Sequence, residues 1–297
     1  MPKYRLKKHV SSSLNVRTTT EKIILTIFFF LYLLYAITLI FPVIWTGYNS
    51  FKDTFSFSED KFGLPNPVYW DNYKMIFDEQ RMTLSLPFAV FNTVWRTVGS
   101  VSVGIFFTAC TSYVVCKYSN QFKWLNHIYT FVVTIMIIPI LGSTAAAYDI
   151  NHNILKIANN PILWTVTWTS GIGFGFLMQY SAWKNLSWNY AEAAFIDGAS
   201  NFQVFFRIMM PMVRPILTAL FVVNFISGWG EYMTTMLYMD EWPSLGYAIW
   251  ILQKQATRFG MPTYFAVIMV SMIPTVGIFV AFQETIMQNM TTGGLKG

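Results

Sequence analysis

The stretch IILTIFFFLYLLYAITLIFPVIW, from Ile23 to Trp45, is apolar along nearly its whole length and carries no charged side chain. A helix that crosses a hydrocarbon core about 30 Å thick needs about 20 mainly apolar residues. This run meets that length, and it is too long for the apolar core of a cleaved signal peptide. The sequence therefore predicts a membrane-spanning helix that is retained in the protein.

Five more apolar segments follow along the chain. Only 11% of the residues are charged, against about 25% in soluble globular domains. We therefore expect an all-α membrane protein with six transmembrane helices in one domain, 23–287, between a segment 1–22 and a tail 288–297. The six spans are placed at 23–47, 86–115, 126–147, 162–182, 215–238 and 263–287.

The positive charge of the chain lies mainly on one predicted side of the membrane. With a cytoplasmic N-terminus, the segments on that side hold twelve Lys and Arg residues, and the opposite segments hold seven. Cytoplasmic segments next to spans carry an excess of Lys and Arg, so both termini are predicted to be cytoplasmic. The net charge of +6 then requires no nucleic-acid partner. Half of the twelve precede the first span: Lys3, Arg5, Lys7, Lys8, Arg17 and Lys22.

Two charged residues, Arg96 and Glu231, fall within predicted spans. An ionisable side chain at membrane depth costs about 3 kcal/mol on insertion scales, so each is a candidate functional residue. The alternatives are a pore charge, and an interior ion pair or water-exposed edge position that only fixes packing. Cys110 and Cys116 lack a redox or metal spacing and are interpreted as small buried hydrophobes. A single loop histidine, His152, is not enough for a metal site, and we predict none.

The segment YAEAAFIDGASNFQVFFRIMMPMVRP, from Tyr190 to Pro215, is too polar and too interrupted to span a membrane. It lies in the predicted cytoplasmic loop 184–214, between the fourth and fifth spans. AEAAF favours a helix. Asp197-Gly198 favours a turn, because glycine enters the left-handed region of backbone conformation without steric cost. The loop is therefore predicted to be a helix–turn–helix.

The second helix of this loop is predicted to have an apolar face. Ser200 or Asn201 is suited to cap its N-terminus, and Pro211 is expected to end it. An exposed apolar helix indicates a surface that binds a protein or the membrane. The segment has few basic residues, which favours a protein partner. The residues predicted on this face are Phe202, Phe205, Phe206, Ile208 and Met209.

The loop resembles the EAA loop of permeases in bacterial ABC importers. The chain is similar to the carbohydrate-uptake group, and within it to the maltose-type G subunits, although Gly230 stands where that family usually has asparagine. The match in the loop rests on Glu192-Ala193-Ala194, Gly198, Ile208 and Pro211. Outside it, in chain order, the resemblance rests on Phe91-Asn92-Thr93, WGEY at 229–232, Met272-Ile273-Pro274 with Phe282-Gln283, and GGLKG at 293–297.

The resemblance implies the type I importer permease fold and a role in a larger complex. That complex would contain a homologous second permease, two ATPase subunits that bind ATP and Mg, and an extracellular solute-binding protein that is lipid-anchored or periplasmic. External loops 48–85 and 239–262 would meet the binding protein, and residues 291–297 would reach between the ATPase subunits. The EAA loop would dock on an ATPase subunit through Glu192, Ala193, Ala194, Asp197, Gly198, Ser200, Phe202 and Phe205.

The chain has no nucleotide-binding motif of its own. GxxxxGK[ST] is missing, and the alternating Gly171, Gly173 and Gly175 do not fit GxGxxG but favour close helix packing. We predict a permease subunit, with no cofactor, for sugar or oligosaccharide import across the bacterial plasma membrane. The first alternative is an ion-coupled carrier with Arg96 and Glu231 as its relay. The second is a membrane-bound enzyme, but the sequence lacks HExxH, GxSxG and paired carboxylates at helical spacing within a span. The sequence does not name the sugar.

Overall fold

A computed structural model describes residues 18–138, 142–162, 165 and 173–292, with side chains up to residue 284. The regular secondary structure of these residues is helical. Helix α6 continues into a π turn at Ile150–Ile154, and α9 contains a π turn at Val204–Met209. The helices are α1 (Thr19–Asn49), α2 (Thr54–Glu59), α3 (Asp71–Met75), α4 (Leu86–Lys117), α5 (Leu125–Ile137), α6 (Ser143–Asp149), α7 (Phe174–Asn185), α8 (Asn189–Ile196), α9 (Asn201–Trp229), α10 (Met233–Tyr238), α11 (Leu245–Lys254), α12 (Ala256–Phe259) and α13 (Met261–Thr292).

Four helices in the described part of the chain are long and apolar enough to cross a membrane: α1, α4, α9 and the segment Met261–Glu284 of α13. They correspond to the first, second, fifth and sixth predicted spans. Helix α1 begins with a capping box between Thr18 and Glu21. Its apolar side chains are exposed on all sides along most of its length, as expected for a helix whose surroundings are lipid.

The third predicted span, 126–147, is divided into two helices. Helix α5 ends at Ile137, and α6 begins at Ser143. Ile138 has extended backbone (φ −75°, ψ 117°), which is the conformation preferred by a residue that precedes proline. That residue, Pro139, lies outside the described residues. Residues 163–164 and 166–172 of the fourth span, Gly171 among them, also lie outside the described residues, and α7 is the helix that the structure describes in that span.

The prediction that Pro211 ends the second helix of the loop is wrong. Helix α9 continues from Asn201 through the proline to Trp229. The π turn changes the hydrogen-bond register directly before Pro211, so the missing proline N–H falls in the first turn of the following α segment. The loop helix and the fifth span are therefore one helix. This span ends at Trp229 and not at 238 as predicted.

Two apolar clusters hold the bundle together at opposite ends of α4. Helix α4 packs against α7, α9 and α11, and α9 also packs against α13. The cluster at the end near α8 contains Ala109, Tyr113, Trp183, Ala191, Ala194, Val204, Phe205, Met209 and Val213. The cluster at the other end contains Ile76, Leu86, Phe225, Trp229, Leu245, Leu252, Ala266 and Val267.

The segment between α1 and α4 is folded onto the bundle at the end opposite α8. The buried Asn72 side chain donates hydrogen bonds to the carbonyl oxygens of Ser50 and Lys52, at 2.8 and 2.7 Å. Thr263 of α13 donates to the Asn72 side-chain oxygen at 3.1 Å. Lys52 is buried and donates to the Asp60 carbonyl oxygen at 2.6 Å. These bonds hold the segment against α13 and give it a defined surface.

Candidate functional site: an exposed helical hairpin and a buried charge pair

The turn between α8 and α9 is a Schellman motif. The Gly198 N–H donates to the Phe195 carbonyl oxygen at 3.0 Å, and the Ala199 N–H donates to the Ala194 carbonyl oxygen at 2.9 Å. Gly198 has φ +82°, in the left-handed region that glycine adopts at helix C-termini. The predicted turn at Asp197-Gly198 is confirmed. The glycine is required by this backbone conformation and not by crowding, because a Cβ here would meet nothing within 4 Å.

Helix α9 begins with a capping box. Ser200 Oγ accepts a hydrogen bond from the Gln203 N–H at 3.4 Å, and Gln203 Oε1 accepts one from the Ser200 N–H at 2.8 Å. This reciprocal pair satisfies two N–H groups at the start of the helix. The sequence predicted either Ser200 or Asn201 as the N-cap, and in the structure the N-cap is Ser200. We call the unit from Asn189 to Phe206 the α8–α9 hairpin.

The inner face of the α8–α9 hairpin packs into the bundle. The ring of Tyr113 lies 4.7 Å from that of Phe205 and 5.2 Å from that of Trp183, between ring centroids. Ala194 and Phe205 are each 7% exposed, and Met209 is fully buried. The expectation that Phe205 and Met209 lie on an exposed face is wrong, and the predicted docking residue Ala194 is buried, because all three side chains fill the core between α4, α7 and α9.

The outer face of the hairpin is exposed and partly apolar. Ala191 and Ala194 are buried, and since residues three or four apart share a helix face, Glu192 and Ile196 point outward. Ile196 is 86% exposed and Phe202 is 77% exposed. The sequence analysis missed Ile196, although its spacing of four from Glu192 placed it on the same face. The predicted docking residues that are exposed are Glu192, Ala193, Asp197, Gly198, Ser200 and Phe202.

The hairpin is attached to the ends of α4 and α7. Lys117 Nζ, at the end of α4, donates to the Leu186 carbonyl oxygen at 2.5 Å and lies 5.9 Å from the Trp188 ring centroid. Trp183 Nε1 of α7 donates to Ser112 Oγ of α4 at 3.0 Å. Because α9 is also continuous with the hairpin, a displacement of the hairpin has to move the ends of three bundle helices.

Arg96 and Glu231 meet at the other end of the bundle. Arg96 Nη2 lies 3.4 Å from Glu231 Oε2 and 3.2 Å from the Glu231 carbonyl oxygen, and Nη1 donates to Thr235 Oγ1 at 2.8 Å. The Arg96 side chain is 11% exposed and the Glu231 side chain is 31% exposed. The two charges are therefore an interior ion pair with hydrogen bonds. Arg96 lies inside α4, as predicted. Glu231 was predicted to lie within the fifth span, but it follows the end of α9 and lies outside that span.

The backbone around Glu231 is tightly packed. Its carboxylate accepts from the Thr234 N–H at 2.8 Å, and its carbonyl oxygen accepts from Ser244 Oγ at 3.2 Å. A Cβ on Gly246 would lie 2.6 Å from the Gly230 carbonyl oxygen, so α11 approaches this backbone closely.

Two further hydrogen bonds join α11 to α4. Asn92 Nδ2 donates to the Pro243 carbonyl oxygen at 3.1 Å, and the Leu245 N–H donates to Thr93 Oγ1 at 2.7 Å. Asn92 and Thr93 belong to the family-like segment at the start of α4, so the resemblance had marked them without giving their partners. We call the set Asn92, Thr93, Arg96, Glu231, Thr235 and Ser244 the polar corner.

His152 has an aromatic neighbour. Its ring stacks on Tyr148 with centroids 4.4 Å apart. Across residues 18–138, 142–162, 165 and 173–292, no three His, Cys, Asp or Glu side chains are grouped so that they could hold a metal ion.

Residues 79–291 match the family described as binding-protein-dependent transport system inner membrane component. The chain belongs to this family. The match includes both the α8–α9 hairpin and the polar corner. It confirms the prediction of a transport subunit of an ABC importer that is not itself the ATP-hydrolysing enzyme. The ion-coupled alternative receives no support.

Curated relatives resemble this permease over most of its length. The diacetylchitobiose uptake system permease protein NgcG of Streptomyces coelicolor is 23% identical over 90% of this chain and 87% of its own. The galactooligosaccharides transport system permease protein GanQ of Bacillus subtilis is 24% identical, over 88% and 92%. The arabinooligosaccharides transport system permease protein AraQ of Bacillus subtilis is 24% identical, over 93% and 96%.

Solved structures share the fold. A chain of a bacterial ABC transporter involved in the import of the acidic polysaccharide alginate has a TM-score of 0.75 and 18% identity, over 90% of this permease and 98% of that chain. A chain of the alginate transporter in complex with an alginate pentasaccharide-bound periplasmic protein has a TM-score of 0.63 and 16% identity, over 90% and 96%. Together with the family, these matches confirm the predicted fold class.

Proposed function

We propose that the chain is one of two permease subunits in an importer for a neutral sugar or oligosaccharide. Relatives named for diacetylchitobiose, galactooligosaccharides and arabinooligosaccharides support this substrate class. In the proposal, two ATPase subunits bind ATP and Mg on the cytoplasmic side, and an extracellular solute-binding protein delivers the sugar. The permease lies in the bacterial plasma membrane with both termini in the cytoplasm.

The α8–α9 hairpin is the observation that carries the proposal. It presents Ile196 and Phe202 on either side of a fixed turn, beyond the helices that form the bundle. Removing apolar surface from water yields roughly 25 cal/mol per Å², and large apolar side chains are suited to anchor an interface. The small exposed residue Ala193 allows another protein surface to come close. We assign this face to contact with an ATPase subunit.

The length and continuity of α9 provide a path for the coupling. At about 1.5 Å per residue, the helix from Asn201 to Trp229 extends about 40 Å, and it ends next to the polar corner. ATP-driven closure of the ATPase subunits would rotate the hairpin, and α9 would carry that rotation to the far end of the bundle. There the change would open the pore to the outside.

The end of the molecule opposite the hairpin is assigned to the solute-binding protein. The segment 48–85 is held in place by the Asn72 hydrogen bonds and still exposes large apolar side chains, among them Phe62 at 73% and Leu64 at 79%. The segment 239–262 contains α11 and α12 and lies at the same end. Residues 291–297 are assigned to a contact between the ATPase subunits.

The role of the hairpin can be tested by the pair Gly198→Val and Gly198→Asn in the complete complex reconstituted into liposomes. A non-glycine residue in left-handed conformation costs roughly 1–2 kcal/mol, but asparagine tolerates it best. Valine is therefore expected to lose most uptake and most ATP hydrolysis stimulated by the loaded binding protein. The asparagine variant is the matched control and should keep most of both. Undiminished coupled hydrolysis and uptake in the valine variant would contradict the assignment.

A further inference from the structure

A small cavity adjoins the Arg96–Glu231 ion pair, between α4 and the end of α9. Its volume is about 120 Å³, and its wall includes the hydroxyl-bearing residues Thr97 and Ser100 and the backbone of Gly228. One water molecule needs roughly 10–15 Å³ measured in this way, so the cavity has room for a larger polar group. Complete small-molecule sites are larger, at about 300–1,000 Å³. The cavity therefore has the size of a subsite.

Thr97 supplies an independent sign that this cavity takes a ligand. The residue is 2% exposed, and among the described residues its Oγ1 has no hydrogen-bond partner. Its neighbours on α4 behave differently: Thr93 Oγ1 donates to the Ala89 carbonyl oxygen at 2.9 Å, and Ser100 Oγ to the Arg96 carbonyl oxygen at 2.8 Å. Burying a hydroxyl without a hydrogen bond costs free energy. The Thr97 hydroxyl is thus a buried polar group in the wall of the cavity that lacks a hydrogen-bond partner among the described residues.

Gly228 contributes by having no side chain. A Cβ at this position would lie 3.1 Å from Thr97 Cγ2 and 3.8 Å from Thr97 Oγ1. Any larger residue would crowd the threonine and occupy part of the cavity. The glycine keeps the space next to the unpaired hydroxyl open.

The charges around the cavity select a neutral ligand rich in hydroxyl groups. The Glu231 carboxylate repels anions, and the Arg96 guanidinium repels cations, while together they offer both hydrogen-bond acceptors and donors. A hydroxyl group can use both kinds of partner at once. Met239 adds an apolar patch to the wall, which suits the C–H face of a sugar ring.

We propose that this cavity is a subsite for one ring of a neutral sugar on its way through the permease. In this subsite the sugar hydroxyls donate to the Glu231 carboxylate and share a hydrogen bond with Thr97 Oγ1. Arg96 lies about 15 Å along α4 from its start, which places the subsite inside the bundle. The ligand class rests on the proposed function of sugar import, whereas the position rests on the cavity itself.

The first test compares Thr97→Val with Thr111→Val in the complete transporter in liposomes. Both changes replace a hydroxyl by a methyl group on α4, but Thr111 is exposed and its hydroxyl bonds to the Phe107 carbonyl oxygen of its own helix. The readout is sugar taken up per ATP hydrolysed, for radiolabelled diacetylchitobiose, galactobiose and arabinobiose. Thr97→Val should lower this ratio about fivefold for at least one transported sugar. An unchanged ratio, or an equal loss in Thr111→Val, overturns the subsite.

The second test does not depend on uptake. Thr97→Cys is made in the Cys110→Ala/Cys116→Ala background and treated, in the assembled transporter, with a membrane-impermeant methanethiosulfonate. Labelling that the disaccharides slow supports the subsite, and an unlabelled thiol overturns it. Thr111→Cys, on an exposed face of α4, should stay unlabelled. If the wild-type complex hydrolyses ATP but takes up none of the three sugars, the proposed function and the sugar assignment fail, and labelling then decides only whether the cavity is open to water.

Discussion

The α8–α9 hairpin and the polar corner lie at opposite ends of α9 and are built in opposite ways. Every hydrogen bond of the hairpin turn joins residues at most five positions apart, as between Ala199 and Ala194. The polar corner joins residues more than a hundred positions apart, as between Arg96 and Glu231. The turn of the hairpin is therefore local, although its inner face packs on the bundle, whereas the corner exists only when the whole bundle is assembled.

The two regions also differ in what they show to the surroundings. The hairpin exposes apolar side chains and buries only its inner face, whereas the corner buries charge and exposes little. A surface of the first kind is suited to bind another subunit. A network of the second kind is sensitive to small movements of the helices that carry it, because a buried charge without its partner is costly. Since α9 connects the two, it is the path that the proposed coupling between the two ends would follow.

The largest expected effect comes from breaking the ion pair. Arg96→Met or Glu231→Met leaves one charge unpaired, which costs about 3–5 kcal/mol for a buried pair. Arg96→Met leaves the Glu231 carboxylate, which is 31% exposed, so the arginine variant is expected at about 3 kcal/mol. The double variant replaces both charges by apolar side chains and should recover most of the loss. The apparent Tm of the purified complex is measured for the wild type, the two single variants and the double variant. If the two single losses add up in the double variant, the two residues are not coupled.

A smaller effect is expected from Gly246→Ala, which tests how tightly the corner is packed. The new methyl group would overlap the Gly230 carbonyl oxygen, and overpacking of this kind costs about 1–3 kcal/mol. Gly277→Ala is the matched control, because its Cβ meets nothing within 4 Å on α13. The apparent Tm should fall only for the first variant. Equal Tm values would mean that the corner adapts as easily as an exposed helix surface.

For the hairpin, Ser200→Ala should cost about 1 kcal/mol, because it removes an N-cap. Since the hairpin is local, amide hydrogen exchange should rise about fivefold in the first turn of α9 and stay unchanged in the polar corner. Gln203→Glu keeps the capping box and is the control. Faster exchange at the polar corner would contradict the contrast between a local and a non-local structure.

The smallest expected effect is a dependence of the stability of α2 on pH. This helix lies at the same end of the molecule as the polar corner. Hydrogen bonds from Ser56, and from the Phe55 N–H, lower the pKa of Asp53, which caps α2. A carboxylate with a lowered pKa stabilises the folded state above its unfolded pKa of about 4, and this contribution is lost as pH falls further. The protection factors of the α2 amides, which correct for the pH dependence of intrinsic exchange, should therefore fall below about pH 4. Asp53→Asn should remove this dependence, and an unchanged pH profile in that variant would contradict the assignment.

The contrast between local and non-local structure also explains what the sequence could predict. Four of the six predicted spans followed from apolar length, and the turn at Gly198 followed from residue type, since both depend on neighbours in sequence. The meeting of Arg96 with Glu231 could not be predicted, because it depends on how α4, α9 and α11 pack. The end of the fifth span at Trp229 was missed because apolar residues continue beyond Gly230.

The errors inside the hairpin have a different cause. Phe205 and Met209 were assigned to an exposed face because they are apolar residues in a polar loop, but α7 and α4 come close enough to bury them. Pro211 was expected to end a helix, and the π turn before it removed the conflict. Helical spacing from the buried Ala191 and Ala194 would have identified Ile196 as the exposed apolar residue of α8.

Cross-linking from Ile196 tests the central claim most directly. A photoreactive benzoylphenylalanine in place of Ile196, in the assembled transporter in membranes, should form an adduct with an ATPase subunit. The same substitution at Phe62, which is similarly exposed at the opposite end of the molecule, should not. An adduct between the Ile196 variant and the extracellular binding protein, or no adduct with any subunit, would contradict the account.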